Sequence, residues 1–207
     1  MTEQIYKYFG NLTERQTEQI ELLDKLYRDW NSKINLISRK DIDNLYEHHV
    51  LHSLAIAKET SFSPGTDVLD FGTGGGFPGI PLAILFPEVN FTLIDGTGKK
   101  VMVASEVAKA LQLTNVTALH RRGEEEKGKY DFIVSRAVMP LPDLAKIVRK
   151  NISKTQRNSH PNGIFCLKGG DLTHELAPFG RQAMSTPITN YFKEEWFKGK
   201  FIAYVQM

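Results

Sequence analysis

The stretch VLDFGTGGGFPGI, residues 68 to 80, carries Gly72, Gly74, Gly75, Gly76 and Gly79 between two apolar runs. Glycines this dense let backbone approach a ligand where any Cβ would obstruct it. A helix beginning near Pro78 would also present free N–H groups to an anion. Two fingerprints fit the stretch. From Gly74 the spacing is G-x-G-x-x-G, the mark of a dinucleotide loop; from Asp70 it is an acid followed by G-x-G-x-G, a pattern associated with S-adenosylmethionine. Asp95 closes the next apolar run, VNFTLID, where a carboxylate accepts hydrogen bonds from ribose hydroxyls under either reading. Asp70 inclines the choice. A diphosphate crossing that turn would lie beside the acid, whereas the cationic methionyl end of S-adenosylmethionine is compatible with it.

Other residue types invite chemistry elsewhere. His48 and His52 have the i, i+4 spacing of metal ligands on a helix, but no third Cys, His or carboxylate is identifiable as their partner, so no metal is expected. Cys166, the sole cysteine, lies in the apolar run GIFCLKG and reads as a core thiol. Lys99, Lys100, Arg121 and Arg122 cluster near expected strand ends, where they could meet nucleic-acid phosphates. Lys146, Arg149, Lys150, Lys154 and Arg157 form a run without an acid, which is either a phosphate-binding stripe or a solvated helix face.

The elements that position these residues follow from periodicity. Thr13 and Gln16 have capping-box spacing, and Ile20, Leu23, Tyr27 and Trp30 continue at helical intervals, predicting a helix from about residue 13 to 31. Ser38 and Asp41 repeat the box, with an apolar face running on toward Thr60. Residues 1 to 60 therefore read as a helical amino-terminal extension. From SFSPGTD onward, short apolar runs alternate with helical segments, which argues for βαβ units, a parallel sheet and a core domain over residues 61 to 207. TPITNYF and KFIAYVQM read as a closing strand pair.

Composition sets the outer bounds. At 207 residues and 41% hydrophobic content the chain can bury a full core. Its formal net charge of +2 excludes a polycation, so any nucleic-acid footprint must be a local patch. One cysteine and no apolar leader or membrane-length run point to the cytoplasm and to no membrane partner.

The flanking residues carry a family likeness. WNSKINLISRKDIDNLYEHHVLHSL, VLDFGTGGGFPGIPLAI, LIDGTGKK, RRGEEE, VSRAV and LKGG together resemble the bacterial small-subunit ribosomal RNA guanine-N7 methyltransferases known as RsmG or GidB. The resemblance implies a class I, Rossmann-like S-adenosylmethionine-dependent methyltransferase with a mostly parallel seven-stranded sheet and a helical amino-terminal cap. It implies S-adenosylmethionine contacts at Gly72, Gly74, Gly76, Phe77, Asp95, Gly123, Glu124 and Arg136. RNA contacts are expected at Lys99, Lys100, Arg121, Arg122 and Lys168. The expected partner is 16S rRNA or a small-subunit assembly intermediate, bound by a monomer. Two departures stand out. His48-His49 and His52-Ser53-Leu54 replace the family's usual Arg-His and Asp-Ser-Leu, and Gly123 replaces a more usual alanine or valine.

Attack by guanine N7 uses a lone pair that carries no proton, so the implied reaction needs no general base; alignment and electrostatic setting must supply the rate. No N/D-P-P-Y/F motif and no Pro-Cys nucleophile accompany the glycine loop. No catalytic residue is assigned. Arg136 is the positioning candidate, expected to contact O6, a phosphate or the methionyl carboxylate and not N7, whose lone pair must stay free. An NAD(P)-dependent oxidoreductase and a noncatalytic RNA-binding factor are the rival readings.

Overall fold

The computed structural model describes residues 2–38, 40–136 and 138–207. A short helix α1, Glu3–Tyr8, leads to the capping box at Thr13. The Thr13 hydroxyl accepts from the Gln16 N–H while the Gln16 side chain accepts from the Thr13 N–H, and α2, Glu14–Asn31, starts there. Its buried residues, Gln19, Ile20, Leu23 and Tyr27, are the stripe that the spacing predicts.

The second expected box does not form. The backbone N–H of Asp41 bonds to Ser38 O, and its carboxylate turns to the rings of His48 and His49. In place of one regular helix the chain runs through a 3₁₀ turn, Ile42–Asn44, and a π-helical segment, Leu45–Leu51. The short helices α3, His52–Leu54, and α4, Ile56–Glu59, follow. π segments are uncommon and tend to sit at functional sites; this one presents two adjacent histidines to one acid.

The alternating half comprises β1 (Asp67–Phe71), α5 (Gly79–Leu85), β2 (Asn90–Asp95), α6 (Gly98–Ala110), β3 (Val116–His120), β4 (Phe132–Arg136), α7 (Leu141–Val148), β5 (Gly163–Gly169), α8 (Thr173–Leu176), β6 (Ala183–Pro187) and β7 (Lys200–Gln206). The sheet order is β3-β2-β1-β4-β5-β7-β6. β1 to β5 are mutually parallel, and β7 runs antiparallel to β5 and β6. Strand order reverses between β1 and β4, which opens a crevice at their carboxyl ends.

Period-two alternation divides the strands between two cores. Val68, Phe91, Phe132, Val134 and Phe165 join the amino-terminal helices and α6 on one face. Leu69, Ile133, Ile164 and Cys166 join Leu144 and Val148 of α7 on the other. Both faces are covered, which is why the strands read as nearly continuous apolar runs.

The closing strand pair lies earlier than TPITNYF suggests. Ile188 and Phe192 are both fully buried but Asn190 between them is exposed, which breaks strand alternation; a 3₁₀ turn occupies Ile188–Asn190. The edge strand is AMSTP, ending at Pro187, which cannot donate to a ladder. Among the described residues no helix is long and apolar enough to cross a membrane.

Candidate cofactor and RNA site

After β1 the N–H groups of Gly72 and Thr73 both donate to Ile94 O on β2, which swings the glycine loop across the strand end. Gly72 has φ +70°, and a Cβ there would stand 2.5 Å from a Val138 methyl; Gly76 has φ +113°, and its Cβ would meet Ile80 at 2.4 Å. Neither position admits an L side chain. Asp70 lies beneath the loop, fully buried, with Oδ2 accepting from the Thr73 hydroxyl at 2.6 Å and from the Gly79 N–H at 2.8 Å. The acid that inclined the choice between cofactors is therefore buried beneath the loop. It ties the loop to the start of α5. Burial pushes its pKa up to about 7, against the pull of those two hydrogen bonds and the Arg136 charge.

Asp95 sits at the carboxyl end of β2. One carboxylate oxygen accepts the Gly74 N–H at 3.0 Å and the other the Thr97 N–H at 2.8 Å. Beside it a pocket of about 220 Å³ opens, bringing together Gly72, Asp95, Arg121, Arg122, Gly123 and Glu124 of the expected residues with Phe71, Val138 and Met139. Gly123 explains its departure from alanine or valine: the Phe71 ring lies 2.0 Å from where its Cβ would be. Phe71 and Val138 lie within the motifs VLDFGTGGGFPGIPLAI and VSRAV without being singled out there, and Met139 carries no signal beyond being apolar.

Gly74, Gly76, Phe77 and Arg136 belong to the other flank of the loop. The Arg136 guanidinium lies 5.1 Å from the centroid of the Phe77 ring and donates to His48 O at 3.4 Å. Burial lowers its pKa from the usual arginine value, opposed by Asp70. His49 packs on Phe77 at 5.3 Å. Burial and the Arg136 charge bring its pKa down to about 4, against the raising effect of Asp41, so at neutral pH its Nε2–H donates to Asp41 at 2.7 Å. His48 stacks on Trp196 at 4.0 Å and His52 meets that indole edge-on at 5.2 Å. The ligand-like spacing thus grips a tryptophan from the carboxy-terminal segment. Among the described residues no group of three His, Cys, Asp or Glu side chains could hold a metal ion.

The amino-terminal helices roof the loop. The Tyr27 hydroxyl donates to Gly75 O at 2.9 Å, and Leu36 lies within 3.4 Å of where a Gly75 Cβ would be.

The basic residues divide. Lys99 is exposed and Lys100 half-buried in the first turn of α6, and Arg122 is exposed in the pocket lining. Arg121 pairs with the buried Glu126 at 2.7 Å, and Glu126 also accepts the N–H groups of Lys127 and Gly128. Lys168 donates to Met139 O at 2.6 Å and pairs with Glu175 at 2.8 Å. The run from Lys146 to Arg157 is not one stripe. Lys150 donates to Glu124 O at the pocket, whereas Arg157 bonds Gly65 O and faces Asp131 at the opposite, amino-terminal ends of the strands.

Solved structures share this architecture. A SAM-dependent methyltransferase from Aquifex aeolicus superposes with a TM-score of 0.56 at 18% identity, over 82% of this chain and 98% of that one. A variant of MtNAS in complex with S-adenosylmethionine gives 0.58 at 12% identity, over 92% and 76%. Fold and pocket position together define a class I, Rossmann-like S-adenosylmethionine-dependent methyltransferase fold.

Sequence comparison narrows the class. The family GidB, rRNA small subunit methyltransferase G, matches residues 16–195, and the chain belongs to it. Relatives called ribosomal RNA small subunit methyltransferase G are 61% identical in Bacteroides thetaiotaomicron, over 98% of each chain, and 62% identical in Phocaeicola vulgatus, over 98% of this chain and 97% of that one.

Proposed function

We propose that the protein transfers a methyl group from S-adenosylmethionine to N7 of a specific guanine in 16S rRNA, free or within a small-subunit assembly intermediate, in the cytoplasm. Membership of the family supports methylation of small-subunit rRNA. One observation carries the choice of donor. The N–H groups of Gly76, Phe77, Gly79 and Ile80 are all spent within the chain, the Gly79 N–H on the Asp70 carboxylate. The Asp70 carboxyl already occupies the turn into α5, which leaves no helix-start site for the diphosphate of a dinucleotide.

S-adenosylmethionine supplies an electrophilic methyl on its sulfonium. In this reading Asp95 accepts ribose hydroxyls while keeping its bond to Gly74 N, and Gly123 and Glu124, in the same pocket lining, meet the adenine. Beyond the loop, Arg136 and Phe77 form the flank nearest the histidines. Arg136 is a fixed cation with donors to spare for a methionyl carboxylate, a phosphate or guanine O6. N7 stays free to attack, and no side chain has to remove a proton.

A titration and a transfer assay test this. Saturable S-adenosylmethionine binding with no NAD binding by calorimetry supports the donor; the converse result overturns it. RNA transcribed with 7-deazaguanosine should accept no methyl, and transfer to that RNA would rule out N7.

A further inference from the structure

The sequence leaves residues 171–207 without a part in the site, and Lys168 reads there as an RNA contact. The structure joins both to the wall of the donor pocket. Lys168, on β5, donates to Met139 O and pairs with Glu175 of α8. Glu175 Oε2, the oxygen of that pair, also accepts the Leu141 N–H at 2.7 Å, at the first residue of α7. One ion pair thus pins the β4–α7 connection at Met139 and again at Leu141.

That connection forms part of the pocket. Val138 and Met139 line it, and Val138 presses on Gly72 closely enough to exclude a Cβ. The Lys168 side chain is only 9% exposed, and its ammonium already has two acceptors. Burial alone would raise the Glu175 carboxyl, but hydrogen bonds from Lys168 and the Leu141 N–H outweigh it and hold the group below its ordinary value, ionised at neutral pH.

We propose that Lys168 and Glu175 are positioning residues for S-adenosylmethionine: their ion pair sets the Val138–Met139 wall of the donor pocket, and Lys168 does not bind RNA. The proposal rests on the methyl-donor reading above. It gives α8 a role in the reaction through backbone it holds, without contact to either substrate.

The test uses the full chain with E175Q, K168M, the double variant and K168R. Glu175→Gln is the mildest, since an amide oxygen still accepts the Leu141 N–H while the charge opposite Lys168 is lost. E175Q and K168M should each weaken S-adenosylmethionine binding by about three- to tenfold in calorimetry, the scale of one ordinary hydrogen bond passed on to the pocket wall. The KM for donor should rise with the KM for RNA unchanged. The double variant should be no worse than either single change, and K168R should restore most of the affinity. RNA affinity and its salt dependence should match the parent in all four. Variants that melt lower yet bind donor normally would show a merely structural pair and overturn the proposal. So would a K168M protein whose log–log salt slope for RNA falls by about one, the signature of a lost phosphate contact. A parent protein that binds no S-adenosylmethionine would instead overturn the donor reading, and this proposal with it.

Discussion

Gly123 owes its identity to Phe71. The ring of Phe71, itself 6% exposed and packed at the end of β1, fills the space that a side chain at 123 would need, and the two residues share the pocket wall. Gly123→Ala should therefore cost about 1–3 kcal/mol of stability through overpacking and weaken S-adenosylmethionine binding. Trimming the ring in the F71V/G123A double variant should recover both, as read by denaturant midpoint and calorimetry. Equal losses in the single and double variants would show that Phe71 is not the constraint. Sequence alone marks Gly123 as a departure and cannot see its cause, because the compensating residue lies 52 positions away on a neighbouring element. The place of Asp95 at the end of β2 was legible at this scale, since the acid closes an apolar run; its bonds to the Gly74 and Thr97 N–H groups were not. Asp41 was not. Its spacing imitates a helix cap, and only the fold shows two histidines claiming the carboxylate.

Among elements, the turn from β1 into α5 carries a stored electrostatic cost. Asp70, with its pKa near 7 in the fold and 3.8 as the ordinary value, binds more proton in the folded than in the unfolded state between those limits. Its contribution to stability consequently declines as pH rises through that window and is level above it. His49, held near 4, acts in the opposite sense: its contribution is full above the ordinary value of 6.5 and is lost as pH falls toward 4. The two overlap, so the comparison that isolates Asp70 is parent against D70N. The stability of the parent relative to D70N should fall between pH 5 and pH 8 in urea titrations; a constant difference would contradict the assignment. The glycine loop itself was plain in sequence because close approach and positive φ leave few other residue types. The burial of Asp70 was not legible, since a carboxylate before such a loop points outward or inward with the same letters. The closing strand lies elsewhere for a related reason: TPITNYF is apolar enough for a strand, and only the exposure of Asn190 between buried Ile188 and Phe192 shows a turn.

Across the whole molecule, the order of helices and parallel strands followed from where period-four patterns give way to short apolar runs. The two cores follow from alternation along each strand. What periodicity could not convey is long-range joining: Tyr27 of α2 on the glycine loop, Trp196 between His48 and His52, and α8 on the pocket wall. Each draws a distant segment onto the carboxyl ends of the strands, so the helical extension and the carboxy-terminal tail both bear on one site. That convergence suits an enzyme whose rate comes from alignment and not from proton transfer. The most direct measurement incubates the protein and labelled S-adenosylmethionine with small-subunit RNA from a strain lacking the modification, then maps product by borohydride reduction and aniline cleavage. The account predicts label at one guanine with strand scission at that same nucleotide, the behaviour of 7-methylguanosine. Label on adenine or cytosine, labelled guanine that resists scission, or no label would contradict it.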